Sequence, residues 1–520
     1  MQQTLAAALL VRTRELEQRL AHYEAQDQPS AQVPGVDFDP AAVPELPFLS
    51  SWQPTPLAST FTLGVFPDDA IPPAASGSDT SSGSDRSSSP GEQRILESLN
   101  YALFQDIVPQ PNERSGLVCE STYQLRALFL KHQIQFGFYL RESKLNAIRS
   151  GDFSGRVIHP ALVHAAQLLG SLLWRVHTKT PVTVINEDVE IGAVLNSLGN
   201  PPDPITLVIV YGLLAWYNLY LRQVDLGRDY LAKAAQVIVS RNMMVIPPWM
   251  NDVLAIEEPD DDVKEYVTVV GQYVYKNKVA HMVLGLPSHL DEEYDQQVKS
   301  LTFMQPWLAK HSVVLMRSKS MMLLVEALRL SQLRAAAAAV ALPAGRAIED
   351  IPLPAGWYTQ YWETLEEVTS HAALLYPQML QASLCLDPQH ALGLKVGLLI
   401  VLAAEVELHR LPGTHHSESR QKALCVILDV IGLAKGLKDE DYALLDPVLG
   451  LCYTIVANAI RNDRELLIGV AERQEVDPNE QEAFNVLINS AQQLSTKLPY
   501  VEYSLQALCE MASTSAAMLH

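Results

Sequence analysis

The sequence predicts an all-α protein: a large irregular helical domain that is preceded by a short coiled-coil helix and a disordered linker. From about residue 97 onward, apolar residues recur with the period of an α-helix almost without a break, and strand signals are nearly absent. Residues 25–96 instead combine recurrent prolines with a serine-rich run, a composition that buries too little apolar surface to order the chain. We therefore predict three parts, with the bounds 1–24, 25–96 and 97–520.

The first part has the heptad pattern of a short coiled coil, with charged side chains on its outer faces. A seam this short is marginal on its own, so weak or partner-dependent pairing is the expectation. The alternative is a surface helix with a weak apolar stripe. The residues predicted to form the partner-binding seam are Leu9, Leu16, Leu20 and Tyr23.

The linker places acidic residues beside bulky hydrophobic ones, as in Asp37-Phe38-Asp39 and around Phe66 and Asp68. Such mixing is found in segments that bind a partner protein, and it is also ordinary linker composition. Both interpretations stay open.

Apolar periodicity places the helices of the third part. Leu125, Phe129 and Phe136 fall on one helix face, and Pro160 begins another helix at a position where the first turn tolerates proline. The one strand candidate is the segment 182–185. Further helices are predicted over about 204–222, 226–241, 261–284, 308–340, 357–380, 390–410, 418–435, 440–461, 480–497 and 501–515.

The most apolar of these segments, 205–221, invites comparison with a membrane span. It has 17 residues, whereas a span needs about 20, and it carries Asn218 and three tyrosines. We therefore predict a helix buried in a large core, and no contact with a membrane.

The charge of the chain argues against nucleic acid as a direct partner. The 520 residues contain 38 Lys plus Arg against 59 Asp plus Glu, a formal charge of -21. A field of that sign repels a phosphate backbone. Hydrophobic residues make up 48% of the chain, which is enough for a sizeable core.

The cysteines are odd in number, scattered and without CxxC spacing. This pattern predicts reduced, buried thiols in an intracellular protein rather than a disulfide framework or a zinc site. The five residues are Cys119, Cys385, Cys425, Cys452 and Cys509.

The strongest enzymatic candidate is an aspartate-rich segment. Asp261, Asp262 and Glu265 fit the DDxxE motif with which helical terpene cyclases hold magnesium and diphosphate. The second metal motif that this chemistry needs begins at Asn462-Asp463, but it meets Leu466 and Val470 where a hydroxyl and a glutamate belong. Acids at a helix N-terminus favour the helix dipole, which explains the segment without catalysis.

The spacing of the histidines does not match a metal-binding motif. No cysteine and no HExxH motif accompany the cluster formed by His409, His415 and His416. Glu405 and His409 are expected to form an ordinary surface pair, and His132 and His164 to be satisfied core or interface residues. We therefore predict no catalytic residue and no metal ligand.

Four stretches are similar, in their order and spacing, to one region of a known family. They are Leu128–Leu140, Ile158–Gly170, Leu213–Ala235 and Asn277–Asp291. Together they resemble the middle homology region of fungal binuclear zinc-cluster transcription factors, especially the mushroom-type members, over roughly residues 120–300. The resemblance implies a large helical regulatory domain that restrains or transmits activation, sometimes by sensing a metabolite.

The chain departs from the family in two places. Where the family has Asp-Arg and Gly-Arg-Pro, the fourth stretch reads Asn277-Lys278 and Gly285-Leu286-Pro287. The family places six zinc-binding cysteines before its coiled coil, whereas this chain has no cysteine before Cys119. Two origins fit: a regulator that lacks the zinc module, or a gene model that lacks its first exon.

The resemblance leads us to expect a nuclear regulator of transcription that has no DNA-binding module of its own and needs no cofactor. Its expected partners are proteins, either a second copy or a zinc-cluster transcription factor, and a small-molecule effector of unknown binding site fits as well. The alternative is a helical scaffold or adaptor outside transcription.

Overall fold

Fifteen α-helices and one short 3-10 helix account for most of the residues that the computed structural model describes, and no strand occurs among them. The described ranges are 119–246, 259–301, 312–341, 353–385, 387–412, 416–439, 441–443, 445–463 and 483–497. The all-α prediction is confirmed. The predicted coiled-coil seam (Leu9, Leu16, Leu20 and Tyr23), the linker 25–96 and the helix 501–515 lie outside these ranges and stay predictions.

The helices have the following bounds. They are α1 Thr122–Lys131, α2 Gln133–Phe136, α3 Glu142–Ser150, α4 Pro160–Thr178, α5 Glu187–Ser197, α6 Pro204–Tyr220, α7 Val224–Ser240, α8 Asp261–Leu284, α9 Glu292–Lys299, α10 Val313–Ala341, α11 Trp357–Leu384, α12 Pro388–Arg410, α13 Ser417–Lys435, α14 Val448–Asn462 and α15 Ala483–Lys497, with a 3-10 helix at Asp441–Ala443 between α13 and α14.

Two helices form the centre of the core. The helix α12 is apolar around its whole circumference, and it packs on α10, α11, α13 and α14. The helix α8 is buried over most of its length and packs on α6, α7, α10 and α14. A helix that is apolar on every face is stable only when other helices surround it, which is why α12 lies inside.

Several helices begin where the sequence provides a cap. Pro160 is the first residue of α4, as predicted, and the preceding His159 accepts a hydrogen bond from the backbone of Ala161. The carboxylate of Asp203 caps α6, and that of Asp260 caps α8. These side chains satisfy backbone N–H groups that have no partner within the helix.

The apolar segment 205–221 forms the buried helix α6, which agrees with the prediction of a core helix. No helix in the described part of the chain is long and apolar enough to cross a membrane.

The structure differs from the sequence prediction in three segments. The helix expected through Leu125 and Phe136 breaks at His132, so that α1 and α2 are separate. The strand candidate 182–185 lies in a loop. The run 440–461 contains the 3-10 helix and then α14 rather than one helix, because Pro447 precedes α14 and has no N–H to continue a helix through it.

The contact between α1 and α4 depends on a glycine. A β-carbon at Gly170 would lie 2.1 Å from the carbonyl oxygen of Leu125 and 2.5 Å from its carbonyl carbon. These are backbone atoms, so a larger residue cannot be accommodated by a rotamer change. The two helices must move apart instead.

We expect Gly170→Ala to destabilise the protein by about 1–3 kcal/mol, because it forces α1 away from α4. Gly192→Ala on the surface of α5 is the matched control, since a β-carbon there meets no atom within 4 Å. That change should stabilise by about 1 kcal/mol through helix propensity. Chemical denaturation of both variants gives the two free energies of unfolding, and equal effects would contradict the close contact.

Candidate functional site

The helix α8 carries polar side chains into the protein interior. Glu265, Gln272 and Lys276 are all buried, and their spacing places them on one side of the helix. Buried polar groups cost free energy unless they find partners. Their neighbours therefore determine what this side of α8 can do.

Arg317 of α10 lies opposite α8 and organises one end of this region. Its guanidinium donates hydrogen bonds to the carbonyl oxygen of Gln135 at 3.4 Å and to the side-chain oxygen of Gln272 at 3.2 Å. The amide of Gln272 in turn donates to the carbonyl oxygen of Phe136 at 3.2 Å. The guanidinium also lies 4.9 Å from the ring centroid of Tyr275.

Asp446, just before α14, is a buried acidic residue that interacts electrostatically with Arg317. Burial raises the pKa of its carboxyl group, whereas Arg317, the backbone N–H of Val448, Tyr275 and Lys276 each lower it. The N–H of Val448 donates to its Oδ1 at 3.1 Å. We call Arg317, Asp446, Lys276 and Tyr275 the interior ionic cluster.

Lys276 is the member of the cluster without a conventional partner. Among the described residues no hydrogen bond or ion pair joins its Nζ to an oxygen, and only 4% of the residue is exposed. The Nζ lies 4.7 Å from the ring centroid of Phe138 and 5.8 Å from that of Trp216. Burial lowers its pKa well below the ordinary lysine value; Arg317 adds to this effect, and Asp446 opposes it.

A narrow pocket of about 10 Å³, room for about one water molecule, adjoins this lysine, and its exposed lining is apolar. Lys276 is the one charged residue of its wall, and the other lining residues are apolar. Helices α6, α7 and α8 and the residue before α14 contribute the wall. The lining residues are Ala215, Trp216, Leu219, Leu231, Lys276, Val279, Ala280, Val283, Leu284 and Pro447.

Because the pKa of Lys276 is lowered, the stability of the protein should depend on pH. The amino group is favoured as neutral in the folded chain and is charged in the unfolded chain below pH ~10.4. The unfolded state therefore binds more protons, and this residue makes stability rise as pH increases.

Lys276→Met should raise the free energy of unfolding at pH 7 by about 1 kcal/mol or more and reduce its rise between pH 7 and pH 9. Lys233→Met is the control, because Lys233 is exposed on α7. Chemical denaturation at both pH values measures the change. A destabilised Lys276→Met protein with unchanged pH dependence would contradict a neutral buried amine.

A second prediction concerns Arg317, because replacing it leaves several buried acceptors without a hydrogen-bond donor. Arg317→Met should destabilise by about 3–5 kcal/mol, because Asp446 then becomes an uncompensated buried charge. In contrast, Arg329→Met removes a half-exposed i,i+3 pair with Glu326 and should cost less than about 1 kcal/mol. Urea denaturation midpoints of the two variants compare these costs directly. Similar midpoints would mean that Arg317 does not hold the cluster together.

The aspartate-rich segment forms contacts within the protein. Asp260 caps α8, Asp262 pairs with Arg141 at 3.0 Å, and Glu265 pairs with Lys144 at 2.5 Å. Burial raises the pKa of Glu265, and Lys144 lowers it. Asp260 thus has the role expected of an acid at a helix N-terminus, whereas Asp262 and Glu265 form ion pairs with Arg141 and Lys144.

The second motif of the cyclase-like pattern also forms contacts within the protein. Arg420 of α13 donates to both carboxylate oxygens of Asp463, at 2.6 Å and 2.5 Å. Within the described ranges no three His, Cys, Asp or Glu residues converge in a way that could hold a metal ion.

The histidines are held by polar partners. The Nδ1 of His132 is 3.0 Å from Gln389, and burial, with the neighbouring His177, lowers the pKa of His132 to about 4. The Nδ1 of His164 is 2.7 Å from Glu190. Both satisfy the expectation of core or interface residues.

One histidine prediction is wrong. Glu405 and His409 form the expected i,i+4 contact, at 3.8 Å, but both are buried inside the fold rather than exposed on its surface. The reason is that α12 is enclosed along its whole length by other helices. His416 caps α13, and His415 lies outside the described residues.

The prediction of buried thiols holds for two of the four described cysteines. Cys119 and Cys452 are buried, Cys425 is intermediate and Cys385 is exposed at the end of α11. All four are free thiols.

A buried serine and histidine form the nearest approach to a nucleophile with a base. The Oγ of Ser320 is 3.0 Å from the Nε2 of His371, which is also 3.0 Å from the carbonyl oxygen of Met316. Both residues lie in the core, and burial lowers the pKa of His371 to about 4. The pair joins α10 to α11 and is not open to a substrate.

Three of the four stretches that carry the family resemblance lie on α8 or pack against it, whereas the second packs on α1 and α6. Gly137 has a left-handed backbone, with φ 78°, and a β-carbon there would overlap the side chain of Gln272. The amide of Asn277 donates to Ser288 at 2.9 Å, and its oxygen accepts from the backbone of His289 at 3.1 Å. Lys278 pairs with Asp295 of α9.

Comparisons with family models, with curated proteins and with solved structures found no match to this chain.

Sequence reasoning missed the interior ionic cluster. Lys276 and Arg317 each stand close to a lysine, Lys278 or Lys319, in a largely apolar helix, and Asp446 lies in a turn more than 100 residues further along the chain. Basic residues inside largely apolar helical runs were the available signal, because charges are buried only when paired or functional. Their pairing depends on the tertiary packing of α8, α10 and α14.

Proposed function

We propose that this chain regulates transcription through protein partners, or through an effector, without reading DNA and without catalysing a reaction. The observation that supports the proposal is that three of the four stretches that resemble the middle homology region lie on α8 or pack against it. Gly137 of the first stretch lies against Gln272 of α8. In the fourth stretch, Asn277 and Lys278 stand where the family has Asp-Arg; Asn277 holds the segment after α8, and Lys278 pairs with Asp295 of α9.

The contacts of Asn277 couple the end of α8 to the segment that follows it. The side chain holds Ser288 and His289, while Lys278 one residue later holds Asp295 on α9. Two adjacent residues therefore set the path of the chain between α8 and α9. The same helix carries Lys276 of the interior ionic cluster and Gln272, which accepts a hydrogen bond from Arg317, so one helix bears both sets of contacts.

The charge supports action through proteins rather than through nucleic acid. A chain of net charge -21 has an unfavourable field for phosphate contacts. A zinc-cluster transcription factor that pairs with Leu9, Leu16, Leu20 and Tyr23 would supply the DNA contacts, and nuclear localisation belongs to this proposal. A second copy of the chain is the other partner that the seam suits.

The full chain fused to a heterologous DNA-binding domain should change transcription of a reporter several-fold relative to that domain alone. Asn277→Leu should abolish the change, because it releases the segment after α8 while leaving the helices packed. Asn196→Leu, on the exposed surface of α5, is the matched control and should behave as the parent fusion does. Circular dichroism of each variant checks that the helices are retained.

A silent reporter, together with a chain that stays outside the nucleus, would contradict the proposal and favour a helical scaffold or adaptor. A reporter response that Asn277→Leu leaves intact would contradict the role of the α8 segment alone.

A further inference from the structure

We propose that the outer face of α11 binds the same face of a second copy of the chain, with the two helices antiparallel, and so forms a twofold-symmetric dimer. This surface is distinct from the seam predicted within residues 1–24. The inference goes beyond the function proposed above and does not depend on it.

The outer face of α11 carries an exposed apolar stripe. The opposite face packs on α10 and α12, so the stripe points away from the core. Single exposed hydrophobic residues are ordinary on a protein surface, whereas several on one face indicate an interaction surface. The large exposed hydrophobic residues of α11 are Tyr358 (64% exposed), Trp362 (58%), Leu380 (38%) and Leu384 (62%).

The spacing of these residues places them on one side of the helix. Trp362 and Leu380 are 18 residues apart, which equals five helical turns, and each has a stripe neighbour four residues further out. The stripe is about 39 Å long at a rise of 1.5 Å per residue. A helix pair in contact over that length buries on the order of the 1,000 Å² that marks a specific interface.

The stripe is symmetric about position 371. Tyr358 and Leu384 each lie 13 residues from His371, and Trp362 and Leu380 each lie 9 residues from it. If two copies of α11 cross antiparallel at this position, Tyr358 of one copy lies opposite Leu384 of the other. Trp362 lies opposite Leu380 in the same way. Every contact then occurs twice, as an isologous interface requires.

Small residues occupy the centre of the outer face. Thr369, Ser370 and Ala373 are exposed there, and Thr369 and Ala373 are both two residues from the centre. Thr369 of one copy would therefore face Ala373 of the other. Small side chains let two helix axes approach closely, so the larger residues toward both ends can reach their partners.

The charges of α11 favour the antiparallel orientation. The helix contains Glu363, Glu366 and Glu367 in its N-terminal half and no Lys or Arg, and Glu367 pairs with Lys319 of α10 at 2.9 Å. In a parallel pair the exposed Glu363 and Glu366 would face their counterparts, and like charges repel. In the antiparallel pair they face residues 370–384, which include no acidic residue.

Buried aromatic rings hold the exposed ones in place. The rings of Trp362 and Tyr361 are 4.9 Å apart, and those of Tyr358 and Trp357 are 5.2 Å apart, both edge to face. Trp357 also stacks on Tyr361, and its indole N–H donates to the carbonyl oxygen of Leu330 at 3.1 Å. Trp and Tyr contribute most at protein interfaces, and fixing their rings beforehand lowers the entropy cost of association.

Sedimentation equilibrium of the full chain, at concentrations up to about 100 μM, should show a species of twice the mass of the chain. Trp362→Glu should raise the dissociation constant of this dimer about hundredfold or more, because an aromatic contact is lost twice in a symmetric interface. Val239→Glu is the matched control: Val239 on α7 is 53% exposed, the change adds the same charge, and the dimer should persist. Circular dichroism of each variant verifies the helices.

A pair of double variants tests the orientation. Trp362→Glu combined with Leu380→Lys places each new acid opposite the new base of the other copy only in the antiparallel pair, so it should recover most of the lost affinity. Trp362→Glu combined with Tyr358→Lys has the same net charge but places both changes at one end of α11. That variant should remain dissociated.

A chain that is monomeric at about 100 μM, or a dimer that Trp362→Glu leaves intact, would overturn the proposal. If Leu16→Glu with Leu20→Glu dissociates such a dimer instead, the seam within residues 1–24 is the site of self-association. Failure of Leu380→Lys to recover the dimer would overturn the antiparallel pairing. The reporter assay is independent, since a dimer with a silent reporter supports this interface and contradicts only the regulatory role.

Discussion

The buried guanidinium of Arg317 and its polar partners hold together the helices at the centre of the described structure. This cation hydrogen-bonds a backbone carbonyl of Gln135 in α2 and the side chain of Gln272 in α8, and it interacts electrostatically with Asp446 before α14. Burying a guanidinium is costly unless its donors are used and its charge is balanced. The four elements are therefore fixed relative to one another by the same group.

This constraint explains why polar residues occupy a helix as deeply buried as α8. Gln272 links Arg317 to the carbonyl of Phe136, and Lys276, one turn further, is left beside an apolar pocket without an acceptor. The fold thus holds one cation that has hydrogen-bond acceptors, although its Nε has none, and a second cation whose Nζ has no acceptor among the described residues. A protein interior tolerates the second arrangement when the amine is neutral, which is the direction in which burial moves its pKa.

The same helix links the interior to the surface segment after it. Asn277 and Lys278 face Ser288, His289 and Asp295, while Lys276 faces the pocket. Consecutive residues of one helix therefore contribute both to the interior and to the position of the segment that follows the helix.

The sequence alone determined the fold class and most of the long helices, because apolar periodicity and caps are local properties. The start of α4 at Pro160 and the cap of α8 at Asp260 were readable from adjacent residues. The short helices α3, α5 and α9 were not individually predicted. For α5, the side chain of Asn186 accepts from the backbone of Asp188 and Val189, a capping pattern that was available in the sequence.

Only the tertiary structure decided which isolated charges meet. Nothing local joins Lys276 and Arg317 to Asp446, since long stretches of chain separate them. For the same reason, the sequence predicts a surface pair at Glu405 and His409. Their spacing shows that they are neighbours on a helix but not that other helices surround that helix. The candidate site is a product of helix packing, and a packing arrangement is a property of the whole chain rather than of any segment.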